Sequence, residues 1–372
     1  MRKVTRSGKA LCTLALCLTL VGALAGCQQS TPAAGTPVPT ASSAAIPTAT
    51  AMTTPITTPT ETATHSPSPV VSPTPTPEPE LAYTFDPYVL PADAKVYIGD
   101  LLPDYKKLVD AVLKRKKKIE LPKKSLEPAI SCLYSDFPLS VLLRDYTIDE
   151  KTSMITLVYN YDKEEHAKRI QAFEDRVEQV IRSAVSPSYN EFETALALYR
   201  WTAKNITYTP GDDVSPYHAL MDGVGICQSY TGLYSFLLLQ LGLDPLECGS
   251  FMSNGDAHVW VLLTFGDTQF HLDPTFESNE TKGEGLRYFG MDDTRRLDSG
   301  AVLPFSTGVY PWSADAPVCE DARFAFLAAC TRWELDADEH RLLLNDGIGE
   351  DPYASLDTTT YETTMLQDPE LP

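Results

Sequence analysis

The sequence predicts an α+β fold in which a helix packs on an antiparallel sheet, and three observations carry that expectation. Tyr230, Leu233, Tyr234, Leu237, Leu238 and Leu241 recur at helical spacing after Cys227 until Gly242 stops the run. Leu246 to Met252, His258 to Phe265 and Thr268 to Leu272 follow as β-rich runs, the last two joined by Gly266-Asp267 as in a tight hairpin. Upstream, Glu164 to Val185 and Asn190 to Ala203 each place apolar residues on one helical face, so amphipathic helices precede the strands.

From its start the chain shows Arg2, Lys3, Arg6 and Lys9 before the apolar run Leu11 to Leu24, the order of a secretory signal peptide over 1–26. Leu24-Ala25-Gly26-Cys27 resembles a bacterial lipobox. Cys27 is therefore expected to be lipidated and to anchor the protein at the extracellular face of the bacterial cell membrane, since several acyl chains on one cysteine hold far better than one. Most of 27–80 is Thr, Pro, Ser and Ala, which cannot bury enough apolar surface to offset the entropy of ordering. This segment reads as a disordered tether, reaching on the order of 150 Å at about 3.1 Å per residue.

Residues 81–188 read as an N-terminal accessory α+β region. Leu102 to Ile119 has helical spacing with a basic end, Lys114 to Lys118, and Val141 to Tyr146 with Met154 to Tyr161 predicts a hairpin across Asp149-Glu150-Lys151. The basic run suits an anionic polymer in isolation. In a chain of formal net charge −20, with no aromatic or nucleic-acid motif beside it, it reads as a solvated helix face, and nucleic acid is not an expected partner. Residues 301–372 form a C-terminal extension in which Pro304 to Trp312 reads as irregular, Cys319 to Leu335 as strand or helix, and Thr358 to Pro372 as frayed.

The chemistry is expected in 189–300. Gly223 and Gly225 permit a tight turn before Cys227, which then falls in the first turn of its helix, where unpaired N–H groups and the helix dipole favour a thiolate. His258 opens the second β-run and Asp273 closes the third, so antiparallel pairing brings the two together. In a thiol enzyme such a histidine takes the thiol proton and later returns one to the leaving amine, while the carboxylate fixes its tautomer. Each residue alone has an ordinary structural explanation; the combination points to catalysis. For an oxyanion, the Cys227 N–H is one candidate donor, with Tyr208, Tyr217 or His218 open as the second.

The segments GVGICQSYTGLY (223–234), HVWV (258–261) and HLDPTF (271–276) resemble the bacterial transglutaminase-like superfamily, with its cysteine, histidine and aspartate motifs in the same order. Ala197 to Tyr208, ending in Asn-Ile-Thr-Tyr, and Arg287-Tyr288-Phe289-Gly290 extend the likeness over about 189–297. Val261 and Phe276 stand where the family often has Asn and Trp. The resemblance implies a papain-like core with Cys227 as nucleophile, His258 as general base and acid, Asp273 as orienting carboxylate, and Gln228 and Trp260 in support. It implies a reaction at protein or peptide amide bonds through a thioester, resolved by an amine (transamidation) or by water (hydrolysis), with a cell-wall source for the substrate in keeping with the anchor. Two alternatives stand beside it: a cysteine protease or amidase of the cell wall, and a non-catalytic binding lipoprotein.

Other chemistries find no support in the residues. There is no Gly-rich phosphate loop, no Gly-x-Ser-x-Gly elbow and no zinc spacing, and Asp336 to His340 lacks the glycine and terminal glutamate of a calcium loop, so no cofactor or metal is expected. Cys132, Cys227, Cys248, Cys319 and Cys330 make an odd number after Cys27, which suits at least one free thiol, and Cys319 with Cys330 is a candidate disulfide.

Overall fold

The structure, a computed structural model, describes residues 81–211, 215–308 and 314–366. The signal peptide, Cys27 and the tether expected from the sequence lie outside the described residues. Among the described residues no helix is long and apolar enough to cross a membrane.

The N-terminal region begins with helices α1 (Ala92–Ile98) and α2 (Leu102–Leu113), followed by strand β1 (Lys118–Glu120) and helix α3 (Leu126–Asp136). Helix α2 ends six residues before the expected Ile119. Arg115 takes a left-handed conformation at φ 52°, and its guanidinium bonds the Tyr161 carbonyl at 2.6 Å. The Tyr159 hydroxyl lies 3.0 and 2.7 Å from the carbonyls of Ala111 and Lys116, covering the helix end. Ile119 is then free to pair with Ile155, so tertiary pairing overrides the helical spacing. Strands β2 (Leu143–Asp149) and β3 (Met154–Tyr159) form the expected hairpin, and β1 adds to β3 to give the order β1-β3-β2, all antiparallel.

Two capped helices lead into the central region. Helix α4 (Lys163–Ala184) starts at Asp162, whose carboxylate accepts from the Glu165 N–H at 2.9 Å. Helix α5 (Glu191–Asn205) has a full capping box, Asn190 with Glu193. Strands β4 (Thr207–Tyr208) and β5 (Val224–Gly225) flank helix α6 (Pro216–Asp222) and pair in parallel. Helix α7 (Cys227–Gln240) is followed by β6 (Leu246–Met252), β7 (Ala257–Phe265) and β8 (Thr268–Leu272), close to the runs read from the sequence. Short helices α8 (Pro274–Glu280) and α9 (Asp293–Asp298) complete the region. The whole is an α+β arrangement of helices and antiparallel sheet.

The C-terminal residues are more ordered than their sequence suggests. Strand β9 (Ala301–Thr307) joins the central sheet beside β6, and β10 (Ala314–Asp315) pairs with it, giving the order β10-β9-β6-β7-β8. Pro304 suggests an irregular stretch, but it stands where the β6–β9 register shifts, a place where the missing N–H is tolerated. Residues 309–313 lie outside the described residues. Within Cys319 to Leu335 a 3-10 turn spans Ala325–Ala329 and gives way to strand β11 (Arg332–Asp336). With β12 (Arg341–Asn345), β13 (Ala354–Asp357) and β14 (Thr363–Met365) it forms a second antiparallel sheet, so the stretch after Thr358 is partly a strand.

One buried apolar cluster runs from Leu90 through α4, α5 and α7 to Leu356. Its aromatic centre is Phe192 of α5, which meets Phe265 at 4.8 Å and Phe289 and Phe324 at 5.4 Å each, bringing α5, β7 and the C-terminal segment together. Glu193 next to it is fully buried and accepts from Thr358 Oγ1 at 2.6 Å, with His340 Nδ1 at 3.0 Å. Phe192→Ala is expected to cost about 3–5 kcal/mol, because the rigid ring leaves a cavity that helix and sheet cannot both close, and urea unfolding will measure it.

Candidate active site

Local geometry explains why Cys227 starts a helix. Gly223 closes α6 in a left-handed conformation at φ 67°, and a Cβ there would come within 3.1 Å of the Asn205 carbonyl. At Gly225 a Cβ would lie 2.4 Å from that of Ser229, so only glycine lets the chain run so close under the first turn. Ser229 Oγ uses that proximity to accept from the Ile226 N–H at 3.2 Å. One turn into α7, Thr231 donates to the Val259 carbonyl at 3.1 Å, which fixes the helix start against the strand position next to His258.

His258 and Asp273 meet as the antiparallel reading expects. His258 Nε2 lies 2.6 Å from Asp273 Oδ2, and both residues are buried. Cys227 lies near enough to His258 to act on it, adding to the upward pull on its pKa. Because Nε2 is engaged by the carboxylate, Nδ1 is the nitrogen left for the thiol. Burial, the largest influence on His258, works to lower its pKa, but the charge and hydrogen bond of Asp273, with Cys227 adding to them, outweigh it and raise the imidazole from 6.5 to about 9. Burial likewise works to raise Asp273, yet His258 and Arg296 hold its carboxyl below the usual range.

Asp273 is bonded on every side. Its Oδ1 accepts from the Thr275 and Phe276 N–H groups at 3.1 Å each, so it also caps α8. Its Oδ2 accepts a second bond from Arg296 Nη1 at 2.9 Å. Arg296 is 0 % exposed, and its guanidinium lies 4.0 Å from the Trp260 ring centroid and 5.1 Å from that of Phe276. Phe276 in turn stacks on His258 at 4.5 Å. Neither Arg296 nor the Phe276 stack is apparent from the sequence, because local pattern does not separate a buried arginine in a short polar helix from a solvated one.

The supporting candidates divide. Trp260 is buried beside His258, and its indole N–H donates to His271 Nδ1 at 2.7 Å. Gln228 is exposed in the first turn of α7. Tyr208 pairs with Gly225, two residues before Cys227, so the β4–β5 bridge brings it to the site. Tyr217 instead stacks on Phe173 at 5.6 Å, with Arg169 Nη1 3.4 Å from its hydroxyl, and His218 Nδ1 bonds Ser215 Oγ at 2.9 Å. Of the three oxyanion candidates, Tyr208 is the one whose backbone pairs beside the turn that leads into Cys227.

His271, Asp293 and Cys319 have donor atoms within 4.8 Å of one another, a metal-like grouping. The indole N–H of Trp260 makes His271 Nδ1 an acceptor, so in the neutral ring Nε2 carries the proton and donates to Asp293 Oδ1 at 2.8 Å. Burial keeps that ring neutral by lowering its pKa. Nε2 then has no lone pair for an ion, and the group is a hydrogen-bond chain supporting Trp260.

The thiols differ in access. Cys132, Cys248, Cys319 and Cys330 are buried and burial pushes all four upward, Cys319 and Cys330 to about 12, whereas Cys227 is partly exposed. The candidate Cys319–Cys330 disulfide is not formed. Cys319 packs with Cys248 and Trp260, while Cys330 belongs to the main cluster and bonds the Arg332 carbonyl at 3.2 Å, so the two point into separate cores.

The His258 shift has a consequence for stability. A pKa raised in the folded state means the native protein holds that proton more tightly, so the stabilisation is full below about pH 6.5 and is lost as pH rises through about 9. Urea unfolding is expected to show a decline of about 3 kcal/mol across that window in the wild type, and a much flatter profile in His258→Ala.

Residues 175–274 match the family profile of the transglutaminase-like superfamily, a span that contains Cys227, His258 and Asp273. No curated protein sequence gives a significant match. Among solved structures the chain is similar to a candidate cysteine protease from Cytophaga hutchinsonii, at 14% identity and TM-score 0.24 over 29% of this chain and 37% of that one. It is also similar to a TGase, at 11% identity and TM-score 0.25 over 42% and 49% of the two chains. A third likeness is to LapG of Legionella pneumophila, at 18% identity and TM-score 0.21 over 31% and 66%. The chain thus spans from about a third to about two thirds of the length of these proteins. Over residues 175–274, therefore, this chain is similar to the core of the transglutaminase-like superfamily.

Proposed function

We propose that this protein is a thiol enzyme acting on protein or peptide amide bonds through Cys227, His258 and Asp273. The observation that carries the reading is a partly exposed Cys227 at the start of α7, acting on a histidine whose Nε2 lies 2.6 Å from a buried carboxylate. His258 Nδ1 takes the thiol proton, and the thiolate attacks the amide carbonyl to form the S–C bond. The Cys227 N–H stands at the helix start as a donor to the oxyanion, with Tyr208 as the candidate second. As the C–N bond breaks, the imidazolium gives its proton to the leaving nitrogen, leaving a thioester. An incoming amine or water then loses a proton to His258 as it displaces the sulfur, which gives transamidation or hydrolysis.

In this reading a lipid on Cys27 holds the enzyme at the extracellular face of the bacterial cell membrane, and the Thr/Pro-rich tether lets it reach proteins or peptides of the cell wall.

Iodoacetamide labelling across pH, with the modified residue mapped, is the test. Selective alkylation of Cys227 over the four buried thiols, slowed at least about tenfold by His258→Ala, is the expected outcome. Slow labelling that His258→Ala leaves unchanged would return the site to a binding or structural role. With a glutamine- or peptide-amide substrate, Cys227→Ala is expected to abolish turnover while the fold, followed by circular dichroism, stays intact.

A further inference from the structure

We infer that Arg296 is a positioning residue of the site: as the last member of the row Cys227, His258, Asp273, Arg296, it neutralises the Asp273 carboxylate and so limits how strongly His258 holds the thiol proton. The inference rests on the reading of Cys227, His258 and Asp273 given above and adds the group that sets how strongly His258 holds its proton.

The geometry is specific. His258 Nε2 and Arg296 Nη1 both end on Asp273 Oδ2, at 2.6 and 2.9 Å, so the imidazolium and guanidinium share one carboxylate oxygen in a site from which water is excluded. With the proton on His258, the row alternates thiolate, imidazolium, carboxylate and guanidinium, and its net charge is zero. Without Arg296 the row would carry a net negative charge before and after the transfer alike, and the imidazolium would face a carboxylate whose field nothing opposes. Such an imidazolium is too stable to return its proton readily to a leaving amine. Two unit charges about 5 Å apart, at an effective dielectric constant of about 20–40, change a proton equilibrium by roughly one to two pH units, so the effect is large enough to decide function.

The surroundings leave Arg296 as the cation in question. Cys248 and Tyr288 are the other titratable groups facing it besides Asp273, and His271 stands near it with Asp292 and Asp293. His258 faces Asp273 and Cys227. The competing account is packing, since the guanidinium plane also fills the space between Trp260 and Phe276.

Arg296→Gln keeps a planar amide and removes the charge; Arg296→Lys keeps the charge and removes the plane. The His258 ring is followed by NMR titration of histidine-labelled protein, its signals assigned with His258→Ala. Arg296→Gln is expected to raise the His258 transition by about one unit or more, and Arg296→Lys to leave it within about half a unit of wild type. An unmoved transition in Arg296→Gln overturns the inference, as does an equal shift in both variants, which would assign the effect to packing. If Arg296→Gln fails to fold because Asp273 is left as an unpaired buried charge, Asp273→Asn is compared with Asp273→Asn/Arg296→Gln, where no such charge remains. There the second substitution is again expected to raise the transition, and no shift overturns the inference. The titration does not depend on Cys227 reactivity, so an alkylation rate insensitive to His258→Ala would sink the enzyme reading alone.

Discussion

A carboxylate buried without water must have its charge answered within hydrogen-bond distance, and Asp273 satisfies that constraint with two backbone N–H groups, one imidazole and one guanidinium. Those four bonds come from three elements. The N–H groups belong to α8, the imidazole to β7 and the guanidinium to α9, so the ion sets the spacing of the segments around it. The aromatic walls follow from the same requirement, since a buried guanidinium that gives one N–H to a carboxylate still needs electron-rich faces beside it, and Trp260 and Phe276 supply them.

The proposed nucleophile is held by a different kind of constraint. Cys227 owes its place to backbone geometry: a left-handed Gly223, a Gly225 with no room for a Cβ, and a threonine that ties the helix to β7. Backbone thus positions the sulfur and charge positions the imidazole, and the two meet at the end of one strand. The remaining thiols are kept out of this chemistry by burial, which makes them poor acids.

Much of this was legible in the sequence, for reasons that can be stated. The helix at Cys227 and the three strands after it are marked by strong periodicity between glycine-rich breaks, and the three reactive residue types fall at the ends of those elements. What escaped the reading depends on partners distant in sequence. Helix α2 was expected to run to Ile119, but pairing with Ile155 draws that residue into a strand. Strand β9 was hidden by Pro304 because its pairing with β6 and the accompanying register shift exist only in the folded chain. Arg296 looked like any charged residue in a short polar helix, since its role arises from what packs around it.

The addition of β9 and β10 to the central sheet bears on how the molecule can be divided. The family match ends at 274, yet β6 finds its second neighbour in β9, and Phe324 packs into the aromatic centre beside α5 and β7. Cutting the chain after the matched span would turn β6 into an edge strand with a full row of unpaired N–H and C=O groups, a template for joining another copy. The boundary of the recognisable motif is therefore not a boundary of independent solubility, and an expression fragment drawn to it would be selected for aggregation by its own exposed edge.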